Sequence, residues 1–220
     1  MDNNSLAVVE KQRPRLDYKE KPRYDAVKRI FDIICSAFAL IILSPVFIIT
    51  SVLIVVDDFG SPFYSQMRTG RNGKKFKMYK FRSMYKNAEK KREELLKKNE
   101  ADGPIFKMEN DPRVTKMGRF IRKTSIDELP QLVNILKGDM SIIGPRPLPV
   151  YEQDACDEYQ NQRLLVKPGL SCYTALDKKS EEDFDQWIEL DLKYIKERSF
   201  KTDIKIIFET VGVVLGKKNY

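Results

Sequence analysis

Polar and apolar positions follow very different rhythms along this chain. From residue 33 to residue 56 it reads IICSAFALIILSPVFIITSVLIVV, with no charged side chain. As one straight helix that run would reach ~36 Å at about 1.5 Å per residue, against a hydrocarbon core of ~30 Å. Ser44-Pro45 interrupts it near its centre. Proline removes one backbone hydrogen bond and crowds the preceding turn, so a kink is expected there. The run is too long and too deep in the chain for a cleaved leader, and no small-residue cleavage site follows it.

Elsewhere the pattern shortens. Residues 1–27 are polar and charged, broken by Leu6, Ala7, Val8 and Val9, and read as a mobile arm or a short surface helix. FYSQMRTGRNGKKFKMYKF reads as a β-hairpin: Asn72-Gly73 is a turn signal, and Phe76, Met78, Tyr79 and Phe81 supply strand-like side chains. NAEKKREELLKKNE reads as a charged, solvated helix, with Glu93–Lys97 and Glu94–Lys98 pairs. After a turn at Asp111-Pro112, an amphipathic helix is predicted. Val114, Met117, Phe120 and Ile121 share one face of it; Lys116, Arg119, Arg122 and Lys123 share the other. A further helix is expected from about Asp127 to Leu136, closed by Gly138. SIIGPRPLP is extended, because residues before proline avoid the helical region. FDQWIELDLKYIKE and DIKIIFETVGVVLGKK each read as an amphipathic helix. The stripe Ile204, Ile207, Phe208, Val211 and Leu215 of the second fits either core packing or the surface of a membrane. The fold class is α+β and helix-rich, with one small β-hairpin and amphipathic interfacial helices.

Charge sharpens the reading of the apolar run. Lys19, Lys21, Arg23, Lys28 and Arg29 precede it; Arg68, Arg71, Lys74, Lys75 and Lys77 follow it. Lysine and arginine near the ends of a hydrophobic segment favour the cytoplasmic side, so both flanks ask for the same face. A helix broken at Ser44-Pro45 that enters and leaves by one face satisfies them, and a kinked spanning helix is the alternative. The whole chain carries 40 Lys plus Arg against 32 Asp plus Glu, a net +8, which suits anionic partners. Charge alone would allow nucleic acid, but the uncharged run and the lack of a recognised binding motif argue against it. There is no histidine, which excludes His-based catalysis and His metal sites. Cys35, Cys156 and Cys172 are scattered, with no C-x-x-C spacing, so neither a zinc cluster nor a disulfide framework is expected.

Acid–base or nucleophilic chemistry therefore falls to carboxylates, Lys, Tyr or Cys. The stretch RKTSIDELPQL places Asp127 and Glu128 side by side. One reading is a helix start, since Ser125 and Glu128 have the spacing of a capping box. The other is a nucleophile with its helper.

The blocks KRIFDIICSAFALIILSPVFIIT, YSQMRTGRNGKKFKMYKFRSM, DPRVTKMGRFIRKTSIDELPQLVNILKGDMSIIGPRP and VKPGL closely resemble, in this order, the bacterial sugar transferases called monotopic phosphoglycosyl transferases. The likeness runs from about Lys28 to Leu170 and more weakly beyond. It implies transfer of a phospho-sugar from a UDP-sugar to polyprenyl (undecaprenyl) phosphate, with UMP released. That step would begin the assembly of capsules or other surface glycans on the cytoplasmic face of the bacterial inner membrane. It also implies contact with membrane lipid, and downstream glycosyltransferases as partners that take the product onward. The family's re-entrant helix, broken at Ser-Pro, matches Ser44 and Pro45. The resulting organisation is an arm over residues 1–27, a re-entrant helix over 28–58 and a catalytic domain with interfacial helices over 59–220.

The resemblance assigns Asp127 as the nucleophile toward the β-phosphorus and Glu128 as a group that orients the site or manages a proton. It implies Mg²⁺ near Asp127, since oxygen ligands and phosphates suit that ion. Arg122 and Arg146 match positions linked to phosphate binding, where a planar guanidinium bonds oxygens in pairs. Lys80 and Arg82, in KFRSM, match a family motif, with a solvated hairpin edge as the alternative. Arg113, in the DPR turn, is as consistent with a structural role. Past KPG the chain departs from the family's pattern, so no nucleotide or sugar contact is carried over from there.

Overall fold

The computed structural model describes residues 15–95, 97, 99–108, 110–177, 183–214 and 216. The anticipated arm residues Leu6–Val9, the charge partner Lys98 and the stripe residue Leu215 lie outside the described residues.

The apolar run folds as two helices, α1 (Pro22–Ile42) and α2 (Ser44–Asp57), bent by 60° at Leu43. Proline at position 45 cannot donate to the carbonyl of Ile41, and the Ser44 hydroxyl takes its place, at 2.8 Å. No single helix among the described residues is long and apolar enough to cross a membrane; the bent pair together passes that test of length and composition. α1 begins at Pro22, inside the stretch assigned to the polar arm, with proline in the first turn where its missing N–H costs nothing.

The polarity of α1 is inverted. Tyr24, Lys28, Asp32 and Ser36 recur at four-residue spacing and face the rest of the protein. Val27, Ile30, Ile34, Phe38 and Ile41 are exposed. Asp203 accepts from Lys28 at 2.7 Å, from Tyr24 at 2.7 Å and from Tyr194 at 2.8 Å. Asp32 accepts the amide of Ile142 at 3.0 Å, and Arg29 donates to the carbonyls of Ile135 and Leu136 at 2.6 and 2.7 Å. Asp203 is buried with all these donors around it. Asp203→Ala should therefore destabilise the fold by about 3–5 kcal/mol, the cost of stranding a buried charge and its partners, read as a lower denaturation midpoint in detergent. A change below ~1 kcal/mol would mean that water replaces the carboxylate freely.

The hairpin forms as predicted. β1 (Phe63–Thr69) pairs antiparallel with β2 (Lys75–Phe81), Phe63 opposite Phe81 and Tyr64 opposite Lys80, around a turn in which Asn72 and Gly73 have positive φ. Phe76 and Met78 on β2 bury against Leu132, Ile135 and Met140, while Phe81 joins Ile54 and Ile121. Asn134, fully buried, acts where a third strand would. It accepts the amide of Tyr79 at 2.9 Å and donates to the carbonyl of Lys77 at 2.7 Å.

Other elements differ from expectation. Of the predicted charged helix, the described residues form a tight turn over Glu89–Lys91 and the short α3 (Arg92–Leu95). α4 (Lys116–Lys123) is capped by Thr115 and so begins after Val114, which was expected on its apolar face; Val114 and Ile121 are buried, but Phe120 points outward at 54 % exposure. The helix expected from Asp127 is a 3₁₀ turn over Ile126–Glu128 followed by α5 (Gln131–Lys137), which Gly138 ends in the left-handed conformation. A parallel pair that the sequence did not suggest, β3 (Ser141–Ile143) with β4 (Gly169–Ser171), lies beside them. It brings Gly169 so close that a Cβ there would lie 2.0 Å from the Gly144 nitrogen. Short α6 (Val150–Gln153) and α7 (Glu158–Asn161) link the two strands.

The main core gathers Ile143 and Leu148 with Phe184, Trp187, Ile188, Leu192 and Ile195 of α8 (Phe184–Glu197). α9 (Phe200–Val214) repeats the inversion of α1: Asp203 and Ile206 face inward, whereas Phe208, Val211 and Val214 are exposed. The stripe divides: Ile207 packs against the main core, whereas Phe208 and Val211 face outward.

Candidate active site

The Asp127–Glu128 pair sits where three segments converge. Ser125 adopts a left-handed conformation, φ 56°, and forms no side-chain cap, so the capping box is not made. The chain instead folds sharply into the 3₁₀ turn. Ile126 and Leu129, on either side of the pair, pack against the cluster of Ile54, Phe81 and Ile121. Those two apolar anchors fix the turn against the hairpin, and the carboxylates meet Lys80 of β2. Lys80 Nζ lies 2.8 Å from Glu128 and 3.9 Å from Asp127. Arg146, from the extended segment after β3, donates to the same Glu128 oxygen at 2.7 Å.

The two carboxylates are electrostatically unequal. Burial raises the pKa of each. At Glu128, Arg146 and Lys80 outweigh that effect and hold the carboxyl far below its ordinary range. At Asp127 burial wins: the attraction of Lys80 is only partial, Glu128 repels, and the pKa is raised. Asp127 is 8 % exposed, and its carboxylate accepts no hydrogen bond among the described residues, Lys80 being its one ion-pair partner there. The site thus holds a fixed Glu128 biased toward its ionised form beside an Asp127 with open lone pairs and a raised pKa. Lys80 itself is pushed down by burial, an effect Glu128 opposes.

The remaining predicted cations divide. Arg122 donates from Nε to Ser83 at 2.9 Å, and its charge is among those that act on Asp127. Arg82 is not brought to the pair: its guanidinium is bound to Asp58, just past the end of α2, through the carboxylate at 2.9 Å and the carbonyl. Arg113 bonds Asp111 through Nε and Nη2, at 2.9 and 2.7 Å, and stacks over Phe106. The structural reading of Arg113 is the one its geometry supports.

The sequence reading passed over Arg68, counting it only as a flanking charge. The hairpin register places Tyr64, Gln66 and Arg68 on the same face of β1 as Lys80 and Met78 of β2. Strand alternation, counted back from Lys80, was the available signal.

Among the described residues no group of three or more His, Cys, Asp or Glu side chains could hold a metal ion. A closed protein cage is therefore absent there. One carboxylate with free oxygens, beside substrate phosphates, is still the way Mg²⁺ is commonly held, and Asp127 fits that role.

The chain belongs to the bacterial sugar transferase family, whose model matches residues 23–217. Its relatives include the galactosyl transferase CpsE of Streptococcus agalactiae, 47 % identical over 191 residues, 86 % of this chain and 42 % of that protein. The undecaprenyl-phosphate galactose phosphotransferase of Salmonella typhimurium is 44 % identical over 200 residues, covering 87 % of this chain and 41 % of its own. The exopolysaccharide production protein ExoY of Rhizobium meliloti is 35 % identical over 205 residues, 91 % of each chain. The chain thus spans about two fifths of the first two relatives, at 42 % and 41 %, and nearly the full length of the third.

Proposed function

We propose that this chain transfers a sugar phosphate from a UDP-sugar to undecaprenyl phosphate, through a covalent intermediate on Asp127, and so starts a surface polysaccharide. The observation that carries this reading is the inequality of the carboxylates: one locked by two cations, its neighbour buried, basic and open. A carboxylate oxygen of Asp127 attacks the β-phosphorus, and the bond from that phosphorus to the oxygen bridging the α-phosphate breaks. UMP leaves with the electron pair. An oxygen of the lipid phosphate then attacks the same phosphorus and displaces the carboxylate, giving the lipid diphosphate sugar. Splitting one displacement into two lets a soluble donor and a lipid acceptor use the site in turn.

Glu128 fixes Lys80 and Arg146 at the edge of the site, where both face the incoming phosphates and offset their charge. When bound, Mg²⁺ on Asp127 would supply further neutralisation of the phosphate oxygens. The names of relatives support the acceptor and donor classes: an undecaprenyl-phosphate galactose phosphotransferase, and a UDP-N-acetylgalactosamine-undecaprenyl-phosphate N-acetylgalactosaminephosphotransferase of Aeromonas hydrophila. For topology we read the bent α1–α2 pair as a re-entrant segment on the cytoplasmic face of the inner membrane. Its support is the outward apolar side, the basic flanks and the Ser44 repair of the Pro45 break.

A UMP-release assay across UDP-sugars, with Mg²⁺ and undecaprenyl phosphate in detergent, tests the reaction. One donor should give UMP and lipid diphosphate sugar in equal amounts. Absence of both with every donor would overturn it.

A further inference from the structure

Arg146 sits on a segment whose tethering goes beyond what an extended loop needs. Four successive carbonyls, from Pro145 to Leu148, each accept a hydrogen bond from another part of the fold. Pro145 accepts the Gly169 amide at 2.9 Å, and Leu148 accepts the Thr69 amide at 3.1 Å. Between them, the carbonyl of Arg146 accepts from Arg163 Nη2 at 2.5 Å, and that of Pro147 accepts from Arg68 Nη1 at 2.9 Å.

Both side-chain donors are held in turn. Arg163 is 2 % exposed, bonds Asp191 of α8 at 2.9 and 2.7 Å, and reaches Gln153 of α6 at 3.2 Å. Arg68 gives its other terminal nitrogen to Gln66 at 2.8 Å. Pro145, Pro147 and Pro149 pin φ at alternate positions, so the segment has little freedom of its own. The consequence falls on the one long side chain it carries. Arg146 is 40 % exposed and reaches Glu128 by a hydrogen bond of 2.7 Å. Its rotamers alone do not fix that geometry; a backbone shift of about 1 Å would break a bond of this length.

We propose that Arg68 and Arg163 are positioning residues, which set the Arg146 guanidinium beside the carboxylate pair by holding the two peptide carbonyls that follow its Cα. The inference rests on the reading of Arg146 as part of the transfer site. Arginine suits the task because one planar fork can hold a carbonyl and a second acceptor at once. Lysine, a point charge on a flexible stem, holds fewer.

The test is a double-mutant cycle on the full chain, with a second readout that needs no turnover. Arg68→Gln and Arg163→Lys keep a polar group at each position, so the fold is retained. Each should lower UMP release by about tenfold in the otherwise native chain, the scale for a misplaced catalytic group, with Arg68→Lys partly restoring it. In an Arg146→Ala background neither should lower it by more than about twofold, because the group they position is gone. Full, multiplicative losses in that background would overturn the inference. The second readout is modification by phenylglyoxal, mapped on peptides by mass spectrometry. Arg146 should react several-fold faster in both variants, while Arg113, locked on Asp111, keeps its native rate. Unchanged reactivity of Arg146 would likewise overturn the inference, and so would equal acceleration of both arginines, which would mark a general loosening. Native protein that turns over no donor would sink the reading of the site, and the modification rates would still decide whether these arginines hold Arg146.

Discussion

Asp127→Asn should abolish turnover and the covalent adduct together. Incubated with its UDP-sugar donor alone, the native chain should gain the mass of one phospho-sugar in intact-protein mass spectrometry, and the variant should gain none. An amide keeps the shape of the side chain but cannot form an acyl phosphate, so the expected loss is about 10⁶-fold, the scale for removing a nucleophile. Near-native turnover in Asp127→Asn would remove the covalent mechanism. The same residue shapes the pH response. Only the ionised carboxylate attacks, and burial raises its pKa, so activity should fall with acidity through a midpoint above that of an ordinary aspartate. Lys80 opposes that rise. Lys80→Met should therefore move the acid limb to still higher pH, and a move to lower pH would contradict the pairing seen here.

Arg146→Ala should lower turnover by about tenfold or more, matching a charge-assisted hydrogen bond worth roughly 1.5–3 kcal/mol. The variant leaves Glu128 with Lys80 alone, so part of the loss comes from a less firmly held Glu128. Lysine at the same position should restore the activity only in part, because it lacks the planar fork. Equal rates for Ala, Lys and Arg at this position would show that the guanidinium has no part in transfer.

What could be read from the chain was what is decided locally. The kink at Ser44-Pro45, the hairpin turn at Asn72-Gly73 and the end of α5 at Gly138 all follow from the backbone chemistry of single residues, and all are present. The capping box at Ser125 failed although its spacing was right. Glu128 is bonded to Lys80 and Arg146, partners distant in sequence, and Ser125 turns left-handed as the chain folds under the hairpin. A long-range charge cluster prevailed over a local cap. Arg82 and Arg113 had the residue type of a phosphate ligand, but Asp58 and Asp111 lay closer, and the motif alone could not separate the two fates. The β3–β4 pair joins two strands of three residues each across more than twenty intervening positions, too short to leave a pattern. On α9 the apolar stripe was visible. Which of its residues turn outward was not, because that depends on Asp203 finding Lys28, Tyr24 and Tyr194.

On the re-entrant reading proposed above, the inverted polarity of α1 bears on any attempt to engineer this protein into water. A detachable anchor leaves an intact surface behind when it is cut away. Removing α1 would instead open a wound: Asp203 would lose Lys28 and Tyr24, the Ile142 amide would lose Asp32, and the last turn of α5 would lose the arginine that closes it. Ile142 lies on β3, four residues before Arg146, so the damage would reach the site itself. Solubilisation should therefore repaint the outward face, for instance by polar replacements at Val27, Ile30, Ile34 and Phe38, and leave the inward stripe untouched.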